Sequence, residues 1–128
     1  MKLTKHKKII IGILGVGYVG LPLAICLANK YSVRSFDSNK ERVEDLKVGF
    51  DKNKEFTKKD IIQKNLFYTN SISDLSGCNY FIIAVPTPIK KNLKPDLQYL
   101  KKANILVAKI IKKNDIVIYE STVYPGLT

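Results

Sequence analysis

Three glycines near the amino end, Gly15, Gly17 and Gly20, have the spacing of a loop that holds a diphosphate. They follow a β-branched run over residues 8–14 and precede a stretch with helical periodicity. In such a loop the first glycine permits the tight turn, the second lets the backbone approach the phosphates, and the third lets helix and strand pack closely. The diphosphate then contacts backbone amides at the start of a helix. The pattern predicts a dinucleotide site; the alternative is a glycine-rich turn with no ligand.

An acidic residue stands where such a site needs an acceptor for the adenosine ribose. Asp37 lies 22 residues after Gly15, at the end of a second strand-like run. A carboxylate at this offset accepts hydrogen bonds from the ribose hydroxyls. It also repels a 2′-phosphate and so favours NAD over NADP, although the nearby cations Lys40 and Arg42 weaken that preference. The alternative is that Asp37 only ends its strand beside a helix cap.

The same region has one feature of a membrane segment. Residues 9–28 carry no charge and follow four lysines, and about 20 apolar residues suffice to span a bilayer. Four glycines and a proline interrupt the run: Gly12, Gly15, Gly17, Gly20 and Pro22. Each glycine costs a helix interior about 1 kcal/mol, whereas Pro22 is acceptable in the first turn of a helix that starts near Tyr18 or Val19. We therefore expect neither a signal peptide nor a membrane helix.

The composition is that of one ordinary globular domain. The 128 residues are 45% hydrophobic and 26% charged, and the two cysteines lack the spacing of a metal site. Cys26 falls on the apolar side of the first predicted helix and is expected in the core, while Cys78 precedes a strand. The single histidine, His6, lies in a lysine-rich tail, so we expect no metal site. Reduced cysteines and the lack of an export signal favour the cytoplasm.

The net charge of +11 comes mainly from lysine, which supplies 20 of the 22 positive charges. The lysines are scattered, with small clusters at residues 52–59, 90–94 and 101–102. Proteins that bind nucleic acid concentrate their charge on one element and interleave it with arginine and aromatic residues. We therefore interpret these lysines as solvated surface and expect no nucleic-acid partner. Their field can still raise the local concentration of an anionic ligand.

Strand and helix patterns alternate along the chain. Strands are predicted at residues 8–14, 31–37, 66–68, 79–85 and 115–119. Helices are predicted at about 19–30, from a Ser38/Glu41 capping box to Gly49, at about 57–64, as a turn over 74–78, and from Pro95-Asp96 onwards with Leu97, Leu100, Val107 and Ile111 on one face. This alternation predicts a Rossmann-type α/β fold, a doubly wound parallel sheet with strand order 3-2-1-4-5.

In such a sheet the ligand lies at the carboxyl ends of the strands, where the strand order reverses. The first strand ends at Gly15, the fourth at residues 85–88 and the fifth at residues 120–122, with Asp37 beside them. Thr87 stands between Pro86 and Pro88, so either a rigid loop presents its hydroxyl or it merely ends the strand. Thr122 has either a site role or a turn role before Pro125-Gly126, and Glu120 either a site role or a capping role.

Four segments resemble the UDP-glucose/GDP-mannose dehydrogenase family. They are Gly15-Val16-Gly17-Tyr18-Val19-Gly20-Leu21-Pro22-Leu23-Ala24, Val85-Pro86-Thr87-Pro88-Ile89, Pro95-Asp96-Leu97, and Glu120-Ser121-Thr122-Val123-Tyr124-Pro125-Gly126. They occur in the family's order across nearly the whole chain. The second and fourth segments look most like bacterial enzymes that act on UDP-N-acetylhexosamines.

The resemblance implies an oxidoreductase that converts the C6 alcohol of a UDP-sugar to the uronic acid with two NAD+, in polysaccharide biosynthesis. By position, the backbone of the glycine loop would hold the pyrophosphate, Asp37 the adenosine ribose, and Arg42 the adenine end. Val85, Pro86 and Thr87 on one side and Ser121 and Thr122 on the other would border the nicotinamide. The family's threonine at Thr122 helps to position a water or the reacting centre.

The chain departs from the family in length. Family members continue through two further domains, which carry a catalytic cysteine and lysine. Neither Cys26 nor Cys78 matches that catalytic cysteine. We therefore interpret residues 1–128 as the N-terminal NAD-binding domain of a longer enzyme, expected to bind NAD but to be inactive alone, and to form a homodimer or larger assembly when full-length. Two alternatives stay open: the NAD-binding domain of another hydroxyacid or sugar-phosphate dehydrogenase, and a stand-alone module that senses NAD.

Overall fold

Five parallel strands form a single sheet in the computed structural model, which describes residues 8–120. The strands are β1 (Ile10–Leu14), β2 (Ser32–Phe36), β3 (Leu66–Thr69), β4 (Tyr80–Ile83) and β5 (Ile116–Tyr119). Their order is β3-β2-β1-β4-β5, and every neighbouring pair is parallel. The predicted order is confirmed. Since β1 is central and the chain leaves it in both directions, the order reverses between β1 and β4.

Helices cover both faces of this sheet. They are α1 (Gly20–Ala28), α2 (Lys40–Lys47), α3 (Lys58–Ile61) and α4 (Gln98–Ala108), with a 3₁₀ turn at Ile72–Leu75. Because successive strand residues point to opposite faces, Ile13 packs in one core with α1 while Leu14 packs in the other with α4. Among residues 8–120 no helix has the length and hydropathy needed to cross a membrane.

The start of α2 corrects one prediction. Its N-cap is Asn39, whose side-chain oxygen accepts from the backbone N–H of Arg42 at 3.2 Å, and not Ser38. The Asp37 carboxylate accepts from the Asn39 N–H at 2.9 Å, which moves the start of the helix one residue along the chain. Gly49 ends α2 with φ of +83°, as predicted. A capping box does form at α3, between Thr57 and Asp60.

Cys26 was predicted in the core, and this is wrong because its side chain is exposed. The buried stripe of α1 runs through Leu21, Ala24 and Ala28, and position 26 faces away from it. Cys78 is buried against the sheet instead. Element bounds also differ. β4 ends at Ile83 and not at residue 85, and α3 ends at Ile61 and not near residue 64. The turn predicted at residues 74–78 is the 3₁₀ segment ending at Leu75, and α4 starts at Gln98, three residues after Pro95. Ile111 lies beyond the end of α4 and is exposed.

Candidate functional site

The loop after β1 is built on glycine for two separate steric reasons. Gly15 has φ of +99°, and a Cβ there would lie 2.9 Å from the carbonyl oxygen of Ala84, the residue after β4. A Cβ on Gly20 would overlap the carbonyl oxygen of Gly15. Gly17 is different, since a Cβ there would meet no protein atom within 4 Å. This backbone conformation therefore leaves no room for a side chain at Gly15 or Gly20, whereas the bare backbone of Gly17 faces open space.

Asp37 is bonded directly to this loop. Its Oδ2 accepts from the backbone N–H of Val16 at 3.0 Å, while its Oδ1 holds the N–H of Asn39 at the start of α2. The backbone N–H of Gly15 also donates to the carbonyl of Phe36 at 2.8 Å. The half-buried carboxylate of Asp37 thus lies beside the glycine loop, at the same edge of the sheet.

Arg42 holds the carbonyl group of Val16. Its Nε and Nη2 donate to the carbonyl oxygen of Val16 at 3.0 and 2.8 Å, and its Nη1 bonds Oδ1 of Asp51 at 2.8 Å. Burial of Asp51 opposes its ionisation, but Arg42 and three backbone amides outweigh that effect and lower the pKa of the carboxyl below its usual value. Val16 is therefore held through its N–H by one charged residue and through its carbonyl by another.

Two hollows of about 400 Å³ each open along the carboxyl ends of the strands. The first lies between the ends of β1 and β2 and the side of α4, and the second lies over the end of β4. Both are lined by Gly17, Val85 and Pro86. A dinucleotide has two bulky halves joined by a diphosphate, so two adjacent hollows with bare backbone at their junction suit its shape.

The structure brings most of the predicted site residues to these hollows. Those that line one or both are Gly15, Val16, Gly17, Tyr18, Val19, Asp37, Arg42, Val85, Pro86, Thr87 and Glu120. Gly20 is buried where α1 begins. Ser121 and Thr122 lie outside the described residues, so their predicted roles stay predictions.

Several lining residues were missed by the sequence analysis. Tyr99, Lys102 and Leu106 of α4 line the first hollow, and their spacing of three and four residues places them on one helix face. That periodicity was a usable signal, but Lys102 was interpreted as solvated surface. Asp51 gave no signal, because it stands in a polar stretch with no recognisable motif.

The chemistry that the described residues offer is binding. The thiol of Cys78 is buried, and desolvation raises its pKa to about 11, so it is a poor nucleophile. Within residues 8–120 no group of three histidines, cysteines or acids is placed to hold a metal ion. The hollows instead combine apolar walls, backbone amides and a carboxylate, which are the groups that hold a dinucleotide.

Comparisons with known proteins find the same family that the sequence motifs resemble. The model of the UDP-glucose/GDP-mannose dehydrogenase family, NAD binding domain, matches residues 9–128. Protein CapL of Staphylococcus aureus is 48% identical over 118 residues, which cover 92% of this chain and 28% of CapL. The UDP-N-acetyl-D-glucosamine 6-dehydrogenase of Pseudomonas aeruginosa is 45% identical over 123 residues, covering 95% of this chain and 29% of that protein.

A solved structure has the same fold as this chain. The UDP-D-ManNAc dehydrogenase of Pyrococcus horikoshii matches with a TM-score of 0.86 and 35% identity, covering 92% of this chain and 29% of that one. The chain therefore spans less than a third of the length of each of these relatives.

Proposed function

We propose how NAD binds, given that this chain belongs to the UDP-glucose/GDP-mannose dehydrogenase family as its NAD-binding domain. NAD lies extended across the two hollows, with its diphosphate at Gly17. The observation that supports this proposal is the bond between Asp37 and Val16, because it holds the Asp37 carboxylate beside the glycine loop, where a dinucleotide site needs an acceptor for the ribose hydroxyls. The family membership confirms the resemblance read from the motifs. The positions of the individual contacts are our inference.

Each half of the cofactor is assigned to one hollow. The backbone of residues 15–20 holds the diphosphate, and the Asp37 carboxylate accepts from the adenosine ribose hydroxyls. The adenine occupies the first hollow, between Arg42 and the apolar side of α4. The nicotinamide reaches the second hollow, beside Val85, Pro86 and Thr87. On family resemblance we add Ser121 and Thr122 to that side.

We further propose that the chain is the N-terminal part of a nucleotide-sugar 6-dehydrogenase. Its substrate would be a UDP-N-acetylhexosamine, since the relatives named above include dehydrogenases of that class. Oxidising a C6 alcohol to a carboxylate removes four electrons, and NAD+ accepts two as a hydride, so each substrate requires two NAD+. The nucleophile of the second oxidation would come from outside this chain. The cytoplasmic location and the assembly of the full-length protein stay predictions.

The experiment pairs the full-length protein with the 128-residue chain. With UDP-N-acetylglucosamine the full-length protein should form the uronic acid and two NADH per sugar, and it should act much more slowly on UDP-glucose. No NADH with any UDP-N-acetylhexosamine would contradict the proposed substrate class. The 128-residue chain should bind NAD in calorimetry and form no acid, so acid formation by that chain alone would show that residues 1–128 suffice for catalysis.

A further inference from the structure

Asp51 does not line the first hollow, yet it holds Arg42, which does. The Asp51 side chain is 1% exposed. Its Oδ1 accepts from Arg42 Nη1 at 2.8 Å and from the Asn53 N–H at 3.1 Å. Its Oδ2 accepts from the N–H groups of Glu55 and Phe56 at 2.9 and 3.2 Å. Both carboxylate oxygens are therefore satisfied by the protein, and the carboxylate is charged.

This arrangement decides what Arg42 presents to the cleft. The guanidinium is one of two cations that line the first hollow with Asp37, the other being Lys102. A free arginine there would suit the 2′-phosphate of NADP. Its Nη1 is instead paired with Asp51, and its other two nitrogens are bound to Val16. Opposite charges 2.8 Å apart largely cancel at the distance of a ligand.

Asp37 carries the negative charge at this end of the cleft. The ion pairs within residues 8–120 do not include Asp37, whose carboxylate is held by two backbone amides. A ribose hydroxyl can donate to this carboxylate, whereas a 2′-phosphate is repelled by it. With Arg42 neutralised, the charged side chains left along the first hollow are the Asp37 carboxylate and the Lys102 ammonium of α4.

We propose that Asp51 is a positioning residue that sets the preference for NAD over NADP, by holding Arg42 on the Val16 carbonyl and cancelling its charge. The inference rests on the proposed NAD site. A purely structural role for Asp51, as the organiser of residues 53–56, would weaken binding of both cofactors in parallel. A charge-cancelling role changes the ratio of the two dissociation constants.

The test measures Kd for NAD and for NADP by calorimetry at low salt, in the full-length protein and its variants. Asp51→Asn keeps the side-chain shape and removes the charge. It should lower the ratio of the NADP Kd to the NAD Kd about tenfold, because Arg42 then attracts the 2′-phosphate. The double variant Arg42→Gln/Asp51→Asn should lose this gain, and Asp51→Glu, which keeps the charge, should stay near the wild-type ratio.

Asp60→Asn is the matched control, because it removes an acidic cap from the adjacent α3 without touching Arg42. Its ratio should equal that of the wild type. If Asp51→Asn does not fold, Asp51→Ser retains an acceptor for the loop amides and makes the same prediction. An unchanged ratio in a folded Asp51 variant, or a lowered ratio that persists without Arg42, would overturn the inference alone. Failure of the wild-type protein to bind NAD would overturn the proposed site as well.

Discussion

The Asp37 carboxylate accepts the backbone N–H of Val16 at 3.0 Å, and this bond joins the end of β2 to the loop that follows β1. The same side chain holds the N–H of Asn39 and so fixes where α2 begins. The residue that we assign to the ribose therefore also positions the loop that we assign to the diphosphate. Binding and local structure are coupled at this residue.

Asp37→Asn is expected to weaken NAD binding about tenfold, because a charged acceptor of the ribose hydroxyls becomes a neutral amide. NADP binding should weaken less or improve, since the repulsion of the 2′-phosphate is removed. Calorimetric titration with each cofactor measures both effects. Glu44→Gln removes the same charge from an exposed position of α2 and is the control. Equal losses for NAD and NADP would contradict the assignment of Asp37 to the ribose.

The fold was predictable because the strand patterns are strong and the rules for parallel sheets leave few topologies. β1 leads directly into Gly15, and the parallel pairing of β1 with β2 and β4 is the one that alternating strands and helices predict. The position of Asp37 beside the glycine loop was also predictable, because loops that bind a diphosphate have glycines and an acidic residue at fixed spacings in the sequence.

The details that failed depend on side-chain contacts that the sequence pattern does not show. α1 has the sequence GLPLAICLA, which is apolar on every side, so nothing local indicates that Cys26 faces solvent. Ser38 and Asn39 are both good N-cap residues. The hydrogen bond from the Asn39 N–H to the Asp37 carboxylate decides between them. Asp51 acquires its role from Arg42, which lies nine positions earlier on α2, before the turn at Gly49.

Asp51 also predicts how stability depends on pH. Burial raises the pKa of this carboxyl, but Arg42 and the backbone amides lower it further, to below the ordinary 3.8. A lowered pKa stabilises the fold above the unfolded value, and that contribution is lost as pH falls through the folded value. We expect the free energy of unfolding in urea to decrease from about pH 5 towards about pH 2, and to decrease less in Asp51→Asn. Equal slopes in both proteins would contradict the role of Asp51.

The two cysteines should differ sharply in reactivity. Cys26 is exposed, whereas Cys78 is buried with a pKa raised to about 11. An aromatic disulfide reagent at about pH 8 should therefore modify one thiol per native chain rapidly and the second only after unfolding. Cys26→Ser should remove the fast reaction and Cys78→Ser should leave it. Rapid modification of both thiols in the native protein would contradict the packing of Cys78.

Substitutions at different glycines of the loop should affect folding and binding separately. Gly20→Ala would push a Cβ into the Gly15 carbonyl and should destabilise the protein by several kcal/mol or prevent folding, which thermal unfolding detects. A Cβ at Gly17 meets no protein atom within 4 Å, so Gly17→Ala should unfold within about 3 °C of the wild type. Gly20→Ala thus tests the role of the loop glycines in stability, whereas Gly17→Ala should leave the fold intact.

The most direct measurement is the NAD affinity of folded Gly17→Ala, determined by calorimetry. The added methyl group occupies the place where the diphosphate meets the backbone, so Kd should rise on the order of a hundredfold while the unfolding temperature stays nearly constant. An NAD affinity equal to that of the wild-type protein, in a Gly17→Ala variant shown to be folded, would contradict the placement of the diphosphate at this loop.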